Sequence, residues 1–257
     1  MMIDGSGGFG AKSVAALAAR NLSVHFDGLW ALENVVLSVQ QGEIVGLIGP
    51  NGAGKTTLIN ALTGFQLPSA GSVQLGDTDI TRWPPHRVRL AGVARTFQSG
   101  RLFRELPVRE NVEATAASFG LSRKRAYDHA MSILEWIGLG DKSDAYAGTL
   151  PYTDERRLSI ARALIMNPAF VLLDEPAAGM SDQECDHLME LIAQIPIRFG
   201  TGVLLIEHNM RVVMGTCSRV HVLDGGRTIA QGTPNEVQAN PEVITAYLGT
   251  KKRKGPK

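Results

Sequence analysis

One glycine-rich loop constrains this fold more than anything else in the chain. Gly49-Pro50-Asn51-Gly52-Ala53-Gly54-Lys55-Thr56-Thr57 fits the pattern G-x-x-x-x-G-K-[ST]. It follows Ile44–Ile48, an apolar, β-branched run that suits a strand buried on both faces. It opens Lys55–Leu62, whose spacing is helical and which stops at Gly64, a C-terminal cap. Strand, glycine-rich loop and helix are the context the motif requires. Glycines let backbone N–H groups curl around phosphate oxygens, and the helix N-terminus adds the positive end of its dipole. Lys55 is placed to neutralise phosphate charge, and the Thr56 hydroxyl to ligate Mg²⁺.

The rest of the pattern alternates in the same way. Residues 22–26 and 35–39 read as strands, and residues 171–173 and 203–206 as buried strands separated by a helix around 183–195. Residues 220–223, Asp224-Gly225-Gly226 and residues 228–231 read as a hairpin. Residues 100–166 carry few strand signals and much helical spacing, for example at 126–137. The expected fold class is therefore α/β: a P-loop core with a mainly parallel sheet, an antiparallel β portion and a helical insertion.

Composition excludes several classes. With 257 residues, 44% apolar and 20% charged, the chain has ordinary globular composition. A formal net charge of +1 gives no reason to expect a nucleic-acid partner. Its apolar runs are too short to span a bilayer, and the N-terminus lacks a secretory pattern, so a cytosolic chain is expected. Cys185 and Cys217 form no metal or disulfide framework and read as small buried apolar residues. Residues 1–19 are expected to be flexible. The basic tail, 251–257, reads either as a solvated end or as a segment drawn to anionic lipid.

Further residues narrow the class. Val171-Leu172-Leu173-Asp174-Glu175 is an apolar strand that delivers two carboxylates at its C-terminal end, where ligands bind in open α/β sheets. Together with the loop, and in this order, they make the chain resemble the ATP-binding-cassette ATPases over nearly its whole length, residues 20–250. The resemblance implies a nucleotide-binding core at 20–99 and 167–250 and a helical subdomain at 100–166. It implies ATP and Mg²⁺ as ligands, with Phe26 stacking on adenine. Gln98, in Thr96-Phe97-Gln98, touches Mg²⁺ and senses the membrane partner in that family. Asp174 is expected to hold Mg²⁺ and Glu175 to polarise the attacking water. By the same resemblance, Ser181 and Asp182 are expected in a loop that crosses the dimer interface, and His208 is expected to hydrogen-bond the γ-phosphate.

Arg95-Thr96-Phe97-Gln98 followed by Arg101-Leu102-Phe103-Arg104-Glu105-Leu106 is most similar to the ATPases of branched-chain amino-acid importers. So are Ile206-Glu207-His208-Asn209-Met210 and the ending Ile244-Thr245-Ala246-Tyr247-Leu248-Gly249. The same subfamily includes urea and related small-solute importers. The implied partners are integral-membrane permease subunits, a second ATPase subunit and, indirectly, a periplasmic or extracellular solute-binding protein. The implied location is the inner face of the cell membrane. Two rivals stand beside this: a nucleotide switch that hydrolyses weakly, and a soluble cassette ATPase acting on DNA or ribosomes.

One motif departs from the family. Where most relatives have the signature L-S-G-G-Q at a helix start, this chain has Leu150-Pro151-Tyr152-Thr153-Asp154, followed by Glu155. Pro151 removes a hydroxyl and a backbone donor. Thr153 puts a β-branched side chain where close phosphate approach favours glycine, unless it serves simply as an N-cap. Asp154 and Glu155 are expected to repel a nearby phosphate. In the family, two cassettes pair head-to-tail, each signature meeting the other subunit's ATP. A poor signature beside an intact P-loop therefore favours a heterodimer over a homodimer.

Overall fold

The computed structural model describes residues 16–97 and 101–249. Gln98 and the tail 251–257, both singled out above, lie outside these residues. Chain order starts with β1 (Ala16–Phe26), β2 (Leu29–Gln40), β3 (Ile44–Ile48), α1 (Lys55–Leu62), β4 (Ala70–Leu75) and β5 (Thr78–Asp79). Next come α2 (Pro85–Leu90), β6 (Val93–Arg95), α3 (Val108–Ser118), α4 (Arg123–Trp136) and α5 (Tyr152–Leu164). They are followed by β7 (Phe170–Asp174), α6 (Asp182–Phe199), β8 (Gly202–Ile206) and α7 (Met210–Thr216). The last elements are β9 (Arg219–Asp224), β10 (Arg227–Gly232), α8 (Pro234–Ala239) and α9 (Pro241–Gly249).

Two sheets organise these elements. One has the order β10-β9-β3-β8-β7-β6, with every neighbouring pair parallel except β9 and β10. The other, β2-β1-β4-β5, is antiparallel. Strands β3, β7 and β8 are buried along their whole length, and the period-2 rule splits their side chains between two cores. Ile44, Ile48, Val171, Leu173, Val203 and Leu205 face the core shared with α3–α7. Val45, Leu47, Phe170, Leu172, Leu204 and Ile206 face the core shared with α1 and the antiparallel sheet. The apolar runs are therefore unbroken because neither face meets water.

The expected elements form, with two differences. Strand β1 begins at Ala16, inside the segment expected to be flexible; Leu17 and Ala19 are buried and paired with both β2 and β4. The alternation of large and small residues there supplies a sheet face despite its weak β propensity. The small elements β4, β5, α2 and β6 carried no signal strong enough to read from the sequence. The expected hairpin is β9–β10, closed by Gly225 and Gly226 at φ 53° and 79°, the two positive values a two-residue I′ turn demands. Both cysteines are buried, as expected.

His221 lies fully buried on β9, its Nε2 2.9 Å from the Thr228 hydroxyl. Burial lowers its pKa from 6.5 to about 4. An unfolded histidine binds its proton first as pH falls, so this stability is full above about pH 6.5 and is lost on the way down to about 4. Between pH 7 and 5 the loss from this group is about 2 kcal/mol. His221→Gln is expected to remove that share of the pH dependence, read as urea unfolding free energy at the two pH values; an undiminished loss in the variant contradicts the assignment.

Candidate functional site

The parallel sheet positions the site. Strands β3, β7 and β8 end side by side, and the three loops that leave their C-terminal ends carry the phosphate loop, Asp174-Glu175 and His208. Gly49, the first loop residue, has φ 149°, and a Cβ there would stand 2.1 Å from the Leu223 carbonyl oxygen. No side chain fits that approach, so the motif's first glycine is dictated by the neighbouring strand as well as by phosphate. Gly54 caps α1 at φ 101°. Asn51, Gly52 and Thr56 are exposed, with Pro50 and Thr57 partly so, whereas Ala53 and Lys55 are buried. The Lys55 ammonium donates to the carbonyls of Gly49 at 2.7 Å and Pro50 at 3.1 Å. Burial lowers its pKa, opposed by the nearby charges of Glu175 and Asp174.

Asp174 ends β7. Its backbone N–H donates to the Thr96 hydroxyl at 3.1 Å, and its Oδ2 lies 3.4 Å from Nη2 of Arg95, both side chains nearly sealed from solvent. Burial raises its pKa and Arg95 pulls the other way. Glu175 then turns into the left-handed region at φ 47°, a costly conformation for a residue with a side chain. That turn stops the strand and swings the carboxylate off the sheet line, where its Oε1 is 4.0 Å from Nδ1 of His208. His208 is exposed, a position from which an imidazole can meet a ligand rather than fill the core.

Glu207 escaped the sequence reading. Fully buried at the end of β8, it accepts backbone N–H bonds from Ala177 at 2.8 Å, His208 at 3.2 Å and Asn209 at 3.3 Å. Burial raises its pKa and those donors oppose the rise. It thereby ties the loop after Glu175 to the loop that presents His208. The only sequence signal was a carboxylate next to a strand end. Tyr247 on α9, read from the sequence only as part of a family-like ending, packs against the core shared with α3–α7.

The remaining predicted residues fall as follows. Phe26 is half-exposed at the tip of the β1–β2 hairpin. Ser181 is the N-cap of α6 in a reciprocal capping box with Glu184, and Asp182 opens that helix within 3.5 Å of Arg211. In the altered signature, Leu150 is buried and Pro151, not Thr153, caps α5, its carbonyl accepting from Asp154 and Glu155 at 3.0 Å each. Thr153 therefore lies inside the first turn, and the N-cap role is excluded. Asp154 is buried and paired with Lys142, with Arg157 at 3.7 Å, and Glu155 pairs with Arg104. The expected repulsion of phosphate by these two carboxylates is corrected accordingly: each already has a cation from the helical segment. The first two helical N–H groups, of Tyr152 and Thr153, precede the intrahelical ladder and remain the natural donors of this helix end.

Among the described residues, no three His, Cys, Asp or Glu side chains gather as a metal-binding cluster. The Thr56 hydroxyl and the Asp174 carboxylate are hard oxygen donors, a set that fits a Mg²⁺ ion whose other ligands are water and phosphate oxygens.

Comparison with known proteins agrees with this geometry. Residues 32–178 match the family described as "ABC transporter", and residues 227–252 match "Branched-chain amino acid ATP-binding cassette transporter". The chain is 43% identical over 248 residues to the high-affinity branched-chain amino acid transport ATP-binding protein LivG of Salmonella typhimurium, covering 91% of this chain and 97% of that one. It is 40% identical over the same span to the corresponding protein BraF of Pseudomonas aeruginosa, with equal coverage. Among solved structures, the ADP conformation of MJ1267, an ATP-binding cassette of an ABC transporter, superposes with a TM-score of 0.84 at 30% identity, covering 91% of this chain and 99% of that one. Site geometry, whole-length similarity and shared fold lead to one conclusion: the chain belongs to the ATP-binding-cassette transporter family and is an ATPase of the LivG type.

Proposed function

We propose that this chain is the ATP-hydrolysing subunit of an importer for branched-chain amino acids. The observation that carries the reading is the convergence of Lys55, Asp174, Glu175 and His208 at the C-terminal ends of three adjacent parallel strands. The match of residues 227–252 to the branched-chain family supports the solute. The chain's station is then the inner face of the membrane. No helix among the described residues is long and apolar enough to cross a bilayer, so permease subunits supply the path. A solute-binding protein delivers the cargo on the far side.

Each residue has a role in this reading. Phe26 stacks on adenine. The backbone of residues 49–57 cradles the phosphates, and Lys55 exchanges its two carbonyl partners for phosphate oxygens. Thr56, Asp174 and Gln98 hold Mg²⁺, whose charge offsets that of the phosphates when it is bound. Glu175 orients a water against the γ-phosphorus. As the new P–O bond forms, the water passes a proton to the Glu175 carboxylate, the bond to the bridging oxygen breaks with its electron pair left on ADP, and ADP and phosphate leave. His208 donates a hydrogen bond to the γ-phosphate, and Glu207 holds the His208 loop in register with the Glu175 loop.

A complete site needs a second cassette, whose signature closes over the ATP, with Ser181 and Asp182 at that interface. In this chain's own signature the carboxylates of Asp154 and Glu155 are neutralised by Lys142 and Arg104, so Thr153 is the remaining obstacle to close phosphate approach. This favours a heterodimer in which a partner's glycine-bearing signature completes the site on this chain's P-loop. ATP binding closes the pair, and hydrolysis with product release reopens it.

The test is the Mg²⁺-dependent ATPase rate of the purified chain. It is expected to be low, to rise about tenfold or more in Thr153→Gly, and to vanish in Glu175→Gln, on the scale of losses seen when one transition-state group is removed. A robust wild-type rate that Thr153→Gly leaves unchanged contradicts the partner requirement. Activity that survives Glu175→Gln contradicts the assigned role of that carboxylate.

A further inference from the structure

Arg95 ends β6 and is almost wholly buried, and its guanidinium serves four neighbours at once. Nη2 lies 3.4 Å from Asp174 Oδ2. Nη1 donates to the Asn60 side-chain oxygen at 2.8 Å and to the Thr63 hydroxyl at 3.3 Å, both at the C-terminal end of the helix that begins with Lys55. Nε reaches the Thr96 carbonyl at 3.5 Å. The guanidinium carbon also sits 4.5 Å from the Phe97 ring centroid and 5.4 Å from that of Phe65. Phe97 is gripped further by Arg101, 4.0 Å over its ring, and by Arg156 of α5, whose Nη1 donates to its carbonyl at 3.5 Å.

The fork geometry matters. A planar guanidinium can hold a carboxylate, two polar groups on a helix and an aromatic face in fixed relative positions, whereas a lysine ammonium is a point charge on a flexible stem. A buried carboxylate without a partner is an uncompensated charge, costly to hold in one orientation. The residues that shape a metal site from behind its direct ligands set ligand orientation, and their loss typically weakens metal affinity 10–100-fold.

We propose that Arg95 is a positioning residue for the Mg²⁺ carboxylate Asp174, locking its orientation to the phosphate-loop helix and to Phe97. The proposal rests on the reading of Asp174 as a metal carboxylate. It assigns to the Arg95-Thr96-Phe97 segment a task in holding the metal carboxylate. Thr96 fixes the backbone of Asp174, Arg95 fixes its side chain, and the Phe97 ring stacks on the same guanidinium.

The test uses the full chain and mant-ADP fluorescence, titrated with Mg²⁺. Variants are Arg95→Met, Arg95→Lys, Asp174→Asn and the double variant Arg95→Met with Asp174→Asn. Arg95→Met is expected to raise the half-saturating Mg²⁺ concentration about tenfold, with mant-ADP binding in the absence of Mg²⁺ unchanged. Arg95→Lys recovers only part of the loss, and the double variant is no worse than Asp174→Asn alone, the non-additivity of residues acting through one another. An unchanged or lowered Mg²⁺ requirement in a folded Arg95→Met chain overturns the proposal, as do effects of the two substitutions that simply add. Should Arg95→Met not fold, Arg95→Lys decides alone: a wild-type requirement overturns the proposal and a raised one upholds it. A wild-type Mg²⁺ requirement in Asp174→Asn would instead remove the reading of Asp174 on which the proposal stands.

Discussion

Parallel pairing of β3, β8 and β7, each sealed on both faces, is the constraint on which the rest of this structure depends. A strand with no solvent face can carry function only at its ends, and parallel neighbours place all their C-terminal ends on one edge. The phosphate loop, the Asp174-Glu175 pair and His208 are distant in sequence but leave the sheet within one neighbourhood. The close approach of Gly49 to the Leu223 carbonyl extends the same constraint to β9, since the loop must pass the neighbouring strand's backbone without a side chain. Packing and chemistry thus demand the same residue at that position.

Charges at this edge are arranged so that few are left alone. Asp174 has Arg95, Asp154 has Lys142 and Arg157, Glu155 has Arg104, and Glu207 has three backbone donors. Buried or half-buried charges in such a place persist only with partners of this kind. The exceptions in character are Glu175 and His208, which stand 4.0 Å apart near the open side of the site, Glu175 on a strained backbone. Strain and incomplete pairing at a chemically active position are the usual signs of a group held ready for a ligand.

Much of this was legible in the sequence. Apolar runs at 44–48, 171–173 and 203–206 announced doubly buried strands because their periodicity is continuous rather than alternating. The glycine loop and the Asp174-Glu175 pair announced the site because their spacing is fixed by local backbone geometry. What stayed hidden depends on contacts distant in sequence. The pairing of Arg95 with Asp174 joins residues 79 positions apart, and that of Glu155 with Arg104 joins residues 51 apart. No local pattern records such pairs. The signature region illustrates the limit: two carboxylates beside a helix start looked repulsive in isolation, and their cations became visible only once α5 was folded against residues 104 and 142. Residues 16–19 differ from expectation for a related reason, since an alanine-rich segment becomes a strand only when neighbours pair with both its sides.

In the function we propose, an intact nucleotide loop beside an altered signature makes this chain require a different cassette to form a productive pair. Sedimentation of the Glu175→Gln chain with ATP and Mg²⁺ tests it most directly, because a hydrolysis-blocked cassette holds its closed dimer long enough to be weighed. A monomer is expected when the chain is alone, and an ATP-dependent dimer when a cassette with an L-S-G-G-Q-type signature from the same transporter is added. An ATP-dependent dimer of this chain with itself would contradict it.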